Sequence, residues 1–74
     1  MKKTPQEVFD TEYRNNQRSP EWKAGALRGL IRAAGCSRQS VSPYPYGTAQ
    51  YDAWQAGLLA GMAEGKYLLQ VGVF

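Results

Sequence analysis

Trp22-Lys23-Ala24-Gly25-Ala26-Leu27-Arg28-Gly29-Leu30 and Trp54-Gln55-Ala56-Gly57-Leu58-Leu59-Ala60-Gly61-Met62 are two copies of one segment, set 32 residues apart. Trp, Ala, both Gly and a Leu recur in place, and Leu30 answers Met62. Extending each copy adds Ala33 to the first set and Gly65 to the second, so both carry small residues four apart. On a helix that spacing draws a stripe along one face, bordered here by Trp22 and Trp54. Each interior glycine costs a helix about 1 kcal/mol against alanine, so four of them cost about 4 kcal/mol. A close approach of two backbones offsets such a cost through added dispersion contacts. The repeat therefore predicts two helices packed stripe to stripe, with Trp22, Gly25, Gly29, Trp54, Gly57 and Gly61 at the contact. We read the pair as an antiparallel hairpin, a water-borne relative of the small-xxx-small packing known from membranes.

Outward from the repeat, the ends of the helices are marked. Thr4-Pro5-Gln6-Glu7 is a helix start: a capping hydroxyl, proline at the first helical position and a carboxylate three residues on. This first helix is expected over residues 5–16, with Phe9 and Tyr13 on one face and a fade at Asn15-Asn16. Ser19-Pro20-Glu21 opens the second, expected over 20–34 with Gly35 as terminator. Residues 35–47 hold two prolines, three serines and two glycines and read as a loop. The third helix is expected over 48–65. Gly65 can cap it, although continuation into Tyr67-Leu68-Leu69 is the open alternative, and residues 66–74 are expected as an apolar tail. The fold class is all-α: one small domain made of the hairpin and a short N-terminal helix.

The chain has 74 residues, too few for a second domain. Hydrophobic residues make up 43% and charged residues 20%, which is globular rather than disordered composition. Net charge is +3, and residues 14–38 carry Arg14, Arg18, Lys23, Arg28, Arg32 and Arg38 against Glu21 alone. Such a segment either attracts phosphate or an acidic protein surface, or is simply a solvated helix face. The start has a basic pair without an apolar run behind it, so no signal peptide is expected. The longest low-polarity stretch, Ala53 to Ala63, is about half of the roughly 20 residues that span a bilayer. We expect a cytoplasmic protein without a membrane partner.

Chemistry is scarce. A chain without histidine has no imidazole base, and with Cys36 as the one cysteine it offers neither an internal disulfide nor a zinc set. Cys36 follows a helix end, where the dipole does not favour a thiolate. The carboxylates are scattered, and Glu7 with Asp10 reads as dipole complement rather than as a catalytic pair. The expectation is a protein that is not an enzyme and carries no cofactor or metal. Tyr44, Tyr46 and Tyr51, interleaved with prolines, suit either an interaction surface or packing over the hairpin mouth. The third helix is apolar nearly all round, which asks for burial on more than one side and points to a homodimer.

Trp22-Lys23-Ala24-Gly25, then Ser42-Pro43-Tyr44, then Trp54-Gln55-Ala56-Gly57 resembles the bacterial ribosome modulation factor family and its small phage relatives, over residues 20–64. The resemblance implies a two-helix core joined by a long loop. It also implies binding to ribosomal RNA on the small subunit and down-regulation of translation through inactive ribosome dimers. Ser42 stands where the family has cysteine, and Gln50-Tyr51-Asp52-Ala53 where it has arginine. On this reading Arg28, Arg32 and Arg38 meet phosphates and Tyr44, Tyr46 and Tyr51 stack on bases. The rival expectation is a small phage- or plasmid-type inhibitor that blocks a host protein or defence complex through Tyr44, Tyr46 and the Arg28/Arg32 stripe.

Overall fold

The computed structural model describes residues 2–35 and 41–74, and the described residues form three helices without strands: α1 (Pro5–Glu12), α2 (Pro20–Ala33) and α3 (Ala49–Gln70). All three begin with a hydroxyl cap. Thr4 Oγ1 accepts from the Glu7 amide at 3.2 Å while the Thr4 amide donates to Glu7 Oε1 at 2.9 Å, a complete capping box. Ser19 Oγ accepts from Trp22 N at 3.2 Å, and Thr48 Oγ1 from Tyr51 N at 3.1 Å.

The first helix stops at Glu12, short of the expected residue 16. Tyr13 N and Arg14 N both donate to the Phe9 carbonyl, so the last turn opens instead of repeating. Asn16 Oδ1 then accepts from Arg18 N at 3.0 Å, a local bond that competes with helix. The third helix differs in the other direction. It runs through Gly65 to Gln70, so the expected tail begins as helix. Gly65 is no terminator: a Cβ there would collide with the Ala33 methyl, which makes Gly65 part of the contact face. The capping glycine is Gly72, at φ +83°. Its amide donates to Leu69 O at 3.3 Å and Val73 N donates to Leu68 O at 2.9 Å, the bond pair of a Schellman ending, with Val73 packed on the cluster that contains Leu68.

α2 and α3 lie backbone on backbone. The Cβ that Gly25 lacks would overlap the Trp54 carbonyl oxygen and stand 2.9 Å from Leu58 N. At Gly29 it would overlap the Leu58 carbonyl and stand 2.6 Å from Met62 N. The same clashes recur from the other side, Gly57 on the Trp22 carbonyl and Gly61 on that of Ala26. Adding or subtracting 32 converts each carbonyl contact into another of the four. Partner numbers rise together along both helices, from Trp22 with Gly57 to Ala33 with Gly65, so the two helices run parallel. The expected antiparallel direction is thereby corrected. A small-residue face has the same profile read from either end, so the stripe does not encode direction. The fifteen residues between Ala33 and Ala49 extend to about 50 Å at most, ample to return along the ~21 Å of α2. A shared hollow lined by Ser19, Glu21, Ala49, Gln50 and Ala53 places the starts of α2 and α3 side by side.

Where each carbonyl sits in the place of a Cβ, the second glycine hydrogen points at it. Four such Cα–H···O contacts are worth about 2–4 kcal/mol together, against the roughly 4 kcal/mol of helix propensity that four glycines forgo. The remaining core gathers at the far end of the pair, where α3 outruns α2. Val8 of α1, Leu30, Leu68 and Phe74 form one cluster, flanked by Phe9, Tyr13 and Val73, and Lys3 N ties the two chain ends together by donating to Val73 O at 2.7 Å.

Gly29→Ala is expected to lower stability by roughly 2–3 kcal/mol in urea denaturation followed by circular dichroism, although alanine is the better helix former, because the atoms in its way are backbone and cannot rotate aside. At the lower contact the obstacle is one methyl. Gly65→Ala alone is expected to destabilise, and adding Ala33→Gly to it should recover most of the loss. An unchanged midpoint for Gly65→Ala, or no recovery in the pair, would contradict the packing.

Candidate functional site

The tyrosine cluster is assembled at the head of α3. Pro45-Tyr46-Gly47-Thr48 forms a turn closed by Thr48 N donating to Pro45 O at 3.4 Å, and the turn needs φ +87° at its third residue, which Gly47 supplies. Thr48 serves twice, since its hydroxyl also donates to Pro45 O at 2.8 Å. This fixes Tyr46 edge-on to Tyr51, with ring centroids 5.1 Å apart and planes at 66°. Tyr46 is 87% exposed, so most of its ring is open to water apart from the edge contact with Tyr51. Tyr44 is half-buried, its amide donating to Ser42 Oγ at 3.1 Å.

The arginines expected beside these rings are elsewhere. In the parallel pair Tyr51 is level with Ser19, at the start of α2, whereas Arg32 is in the last turn of α2, about 20 Å along the axis. Arg28 is half-buried between them and Arg32 is exposed. Arg38, like Cys36, lies outside the described residues. An antiparallel hairpin would have brought Arg32 to the mouth with Tyr51, so the reversed direction separates the two halves of the expected site. Of the packing residues, Gly25, Gly29, Gly57 and Gly61 are buried, as is Trp54 at 4% exposure, while Trp22 is only half-buried.

The half-exposed Trp22 has a partner set that sequence reasoning missed. Arg18 Cζ lies 4.9 Å from the centroid of its ring, a cation–π distance. Tyr13 packs on the same ring at 5.8 Å, and Phe9 stacks on Tyr13 at 6.2 Å. Arg14 pairs with Asp10 at 3.1 Å, and Lys23 Nζ donates to the Arg14 carbonyl at 2.9 Å. Arg14, Arg18 and Lys23 thus form a basic corner around Trp22, at the end of the pair that also carries Tyr46 and Tyr51. The four-residue spacings of Phe9 to Tyr13 and Arg18 to Trp22 were the available signals, but the second spans a helix start and does not read as a helical pair.

Beside Tyr13, next to this corner, two carboxylates meet. Burial first, then the charge of Glu12 and a hydrogen bond with its carboxyl, hold the Glu64 acid above the ordinary carboxylate range. Burial, then Glu64 and Glu12, likewise raise the Tyr13 hydroxyl. Next to this pair a cavity of about 230 Å³ is lined by Lys3, Val8, Thr11, Glu12, Leu68 and Val73. Among the described residues no group of three His, Cys, Asp or Glu is placed to hold a metal, and no helix is long and apolar enough to cross a membrane. No protein-family model, curated protein or solved structure matches the chain.

Because Glu64 binds its proton more tightly in the folded state than in the unfolded one, its contribution to stability is full at low pH and is lost as pH rises through the folded value. Stability is expected to rise slightly as pH falls toward the ordinary carboxylate range, through the interval just above it in which the folded acid takes up its proton. Glu64→Gln should flatten that slope, read from thermal midpoints across the range; an unaltered slope would contradict the pairing.

Proposed function

We propose that the chain is a non-catalytic, ribosome modulation factor-like binder of ribosomal RNA that down-regulates translation in the cytoplasm, without a cofactor. The observation that carries this reading is Tyr46, an aromatic ring 87% exposed that meets Tyr51 edge-on beside the Gly47 turn. A face this open admits a base, and base–aromatic stacking is worth about 1–3 kcal/mol. The basic corner of Arg14, Arg18 and Lys23 lies at the same end as this ring. Arg28 and Arg32 carry positive charge along α2 on a different flank, about 140–180° round the helix from Lys23, and offer further phosphate contacts there. The glycine stripe is then scaffold. It holds the two helices close enough that the caps at Ser19 and Thr48, and the rings beside them, form one rigid end.

Co-sedimentation with purified ribosomes tests the reading. Binding is expected at low salt and should weaken steeply as salt rises. Tyr46→Ala should reduce affinity by about tenfold with an unchanged salt slope, since one stacked base is lost. Arg32→Ala should instead lower the slope by about one. Absence of co-sedimentation at low salt removes the RNA reading. Retention of one stoichiometric protein from nuclease-treated lysate, lost with Tyr46→Ala, would transfer the same surface to the second reading, a small inhibitor of a host protein.

A further inference from the structure

α3 presents two faces. Trp54, Gly57, Leu58, Gly61, Gly65 and Leu68 are buried. On the opposite side Asp52, Ala56, Leu59, Ala63 and Lys66 are all exposed, and Leu59 is 66% open to water. Asp52, Leu59 and Lys66 are spaced by seven, so they lie in one line with Ala56 and Ala63 beside them. From Ala53 to Ala63 the helix carries no charge at all, which leaves this line apolar for its middle two turns. Asp52 closes it at one end and Lys66 at the other, each two turns or about 10 Å from Leu59.

That arrangement is complementary to itself in one direction. A second α3 laid antiparallel with Leu59 on the twofold axis sets Asp52 of one copy opposite Lys66 of the other, twice, and sets Ala56 opposite Ala63 where small side chains allow close approach. The parallel alternative sets Asp52 on Asp52 and Lys66 on Lys66, and like charges face to face are unfavourable. We propose that the outer face of α3 docks a second copy of this chain, antiparallel, with Leu59 at the dyad and reciprocal Asp52–Lys66 pairs at the rim. Leu59 and the alanines supply the affinity, and the rim pairs choose direction and register, since exposed ion pairs add little strength of their own. One helix face buries an area at the small end of specific interfaces, so the association is concentration-dependent. The inference stands apart from the RNA reading.

The test is solution mass by sedimentation equilibrium on nuclease-treated protein from about 1 µM to about 1 mM. The expected result is a monomer–dimer equilibrium that Leu59→Lys weakens by at least about tenfold with helicity unchanged. Asp52→Lys alone should weaken it and Asp52→Lys with Lys66→Asp should restore it. In a Cys36→Ser background, Leu59→Cys should form a disulfide-linked dimer on oxidation, because the dyad brings the two copies of this position together. A monomer throughout the range, a dimer indifferent to Leu59→Lys, or a failure of the charge exchange to restore association would each overturn the proposal.

Discussion

The contact between the Gly25 α-carbon and the Trp54 carbonyl, with its mate between Gly57 and the Trp22 carbonyl, governs the rest of the molecule. Two helices this close leave no room for any side chain between them, so glycine is required by the carbonyl opposite rather than by backbone conformation. These contacts set which residue of α3 is level with which of α2. They also set the start of α3 beside the start of α2, so that Tyr46 and Tyr51 stand there rather than at the end of α2.

The direction of the pair has a consequence for stability. In a parallel pair both N-termini stand together, and the unsatisfied amides at that end are met by Ser19 and Thr48, with Glu21 and Asp52 in the first turns. At the other end α3 continues beyond α2, and its bared side is closed by elements remote in sequence. Val8 of the short N-terminal helix meets Leu30, Leu68 and Phe74, and the backbone bond from Lys3 to Val73 joins the two chain ends. A 74-residue chain has little core to spend, and here the glycine contact and this terminal cluster divide the work along one helix pair.

The caps at Thr4 and Ser19, the start of the third helix near Thr48 and the place of Gly35, at φ +114° two residues past the end of α2, were legible in the sequence, because they rest on local chemistry within four residues. The pairing of the two tryptophan-led segments was legible from the repeat. Its direction was not, because a face of small residues lacks the asymmetric bulk that would distinguish the two senses. Gly65 and Gly72 show the same limit: each stands after an apolar run, and only the tertiary contact with Ala33 tells which lies inside the helix. The separation of Arg32 from Tyr51 follows from that undetermined direction, whereas Tyr46 on Tyr51 is local and its neighbours in sequence already prefigure it. The basic corner at Trp22 depends on the turn after α1, where the Asn16 side chain accepts from the Arg18 amide.

Nuclear Overhauser contacts from the α-protons of labelled glycine read the central claim most directly. A parallel pair predicts cross-peaks from Gly25 to the Leu58 amide, from Gly29 to the Met62 amide and from Gly57 to the Ala26 amide, with partner numbers climbing together. Cross-peaks from Gly25 to residues near Gly65 and from Gly29 to residues near Gly57, with the numbers running in opposite senses, would contradict it.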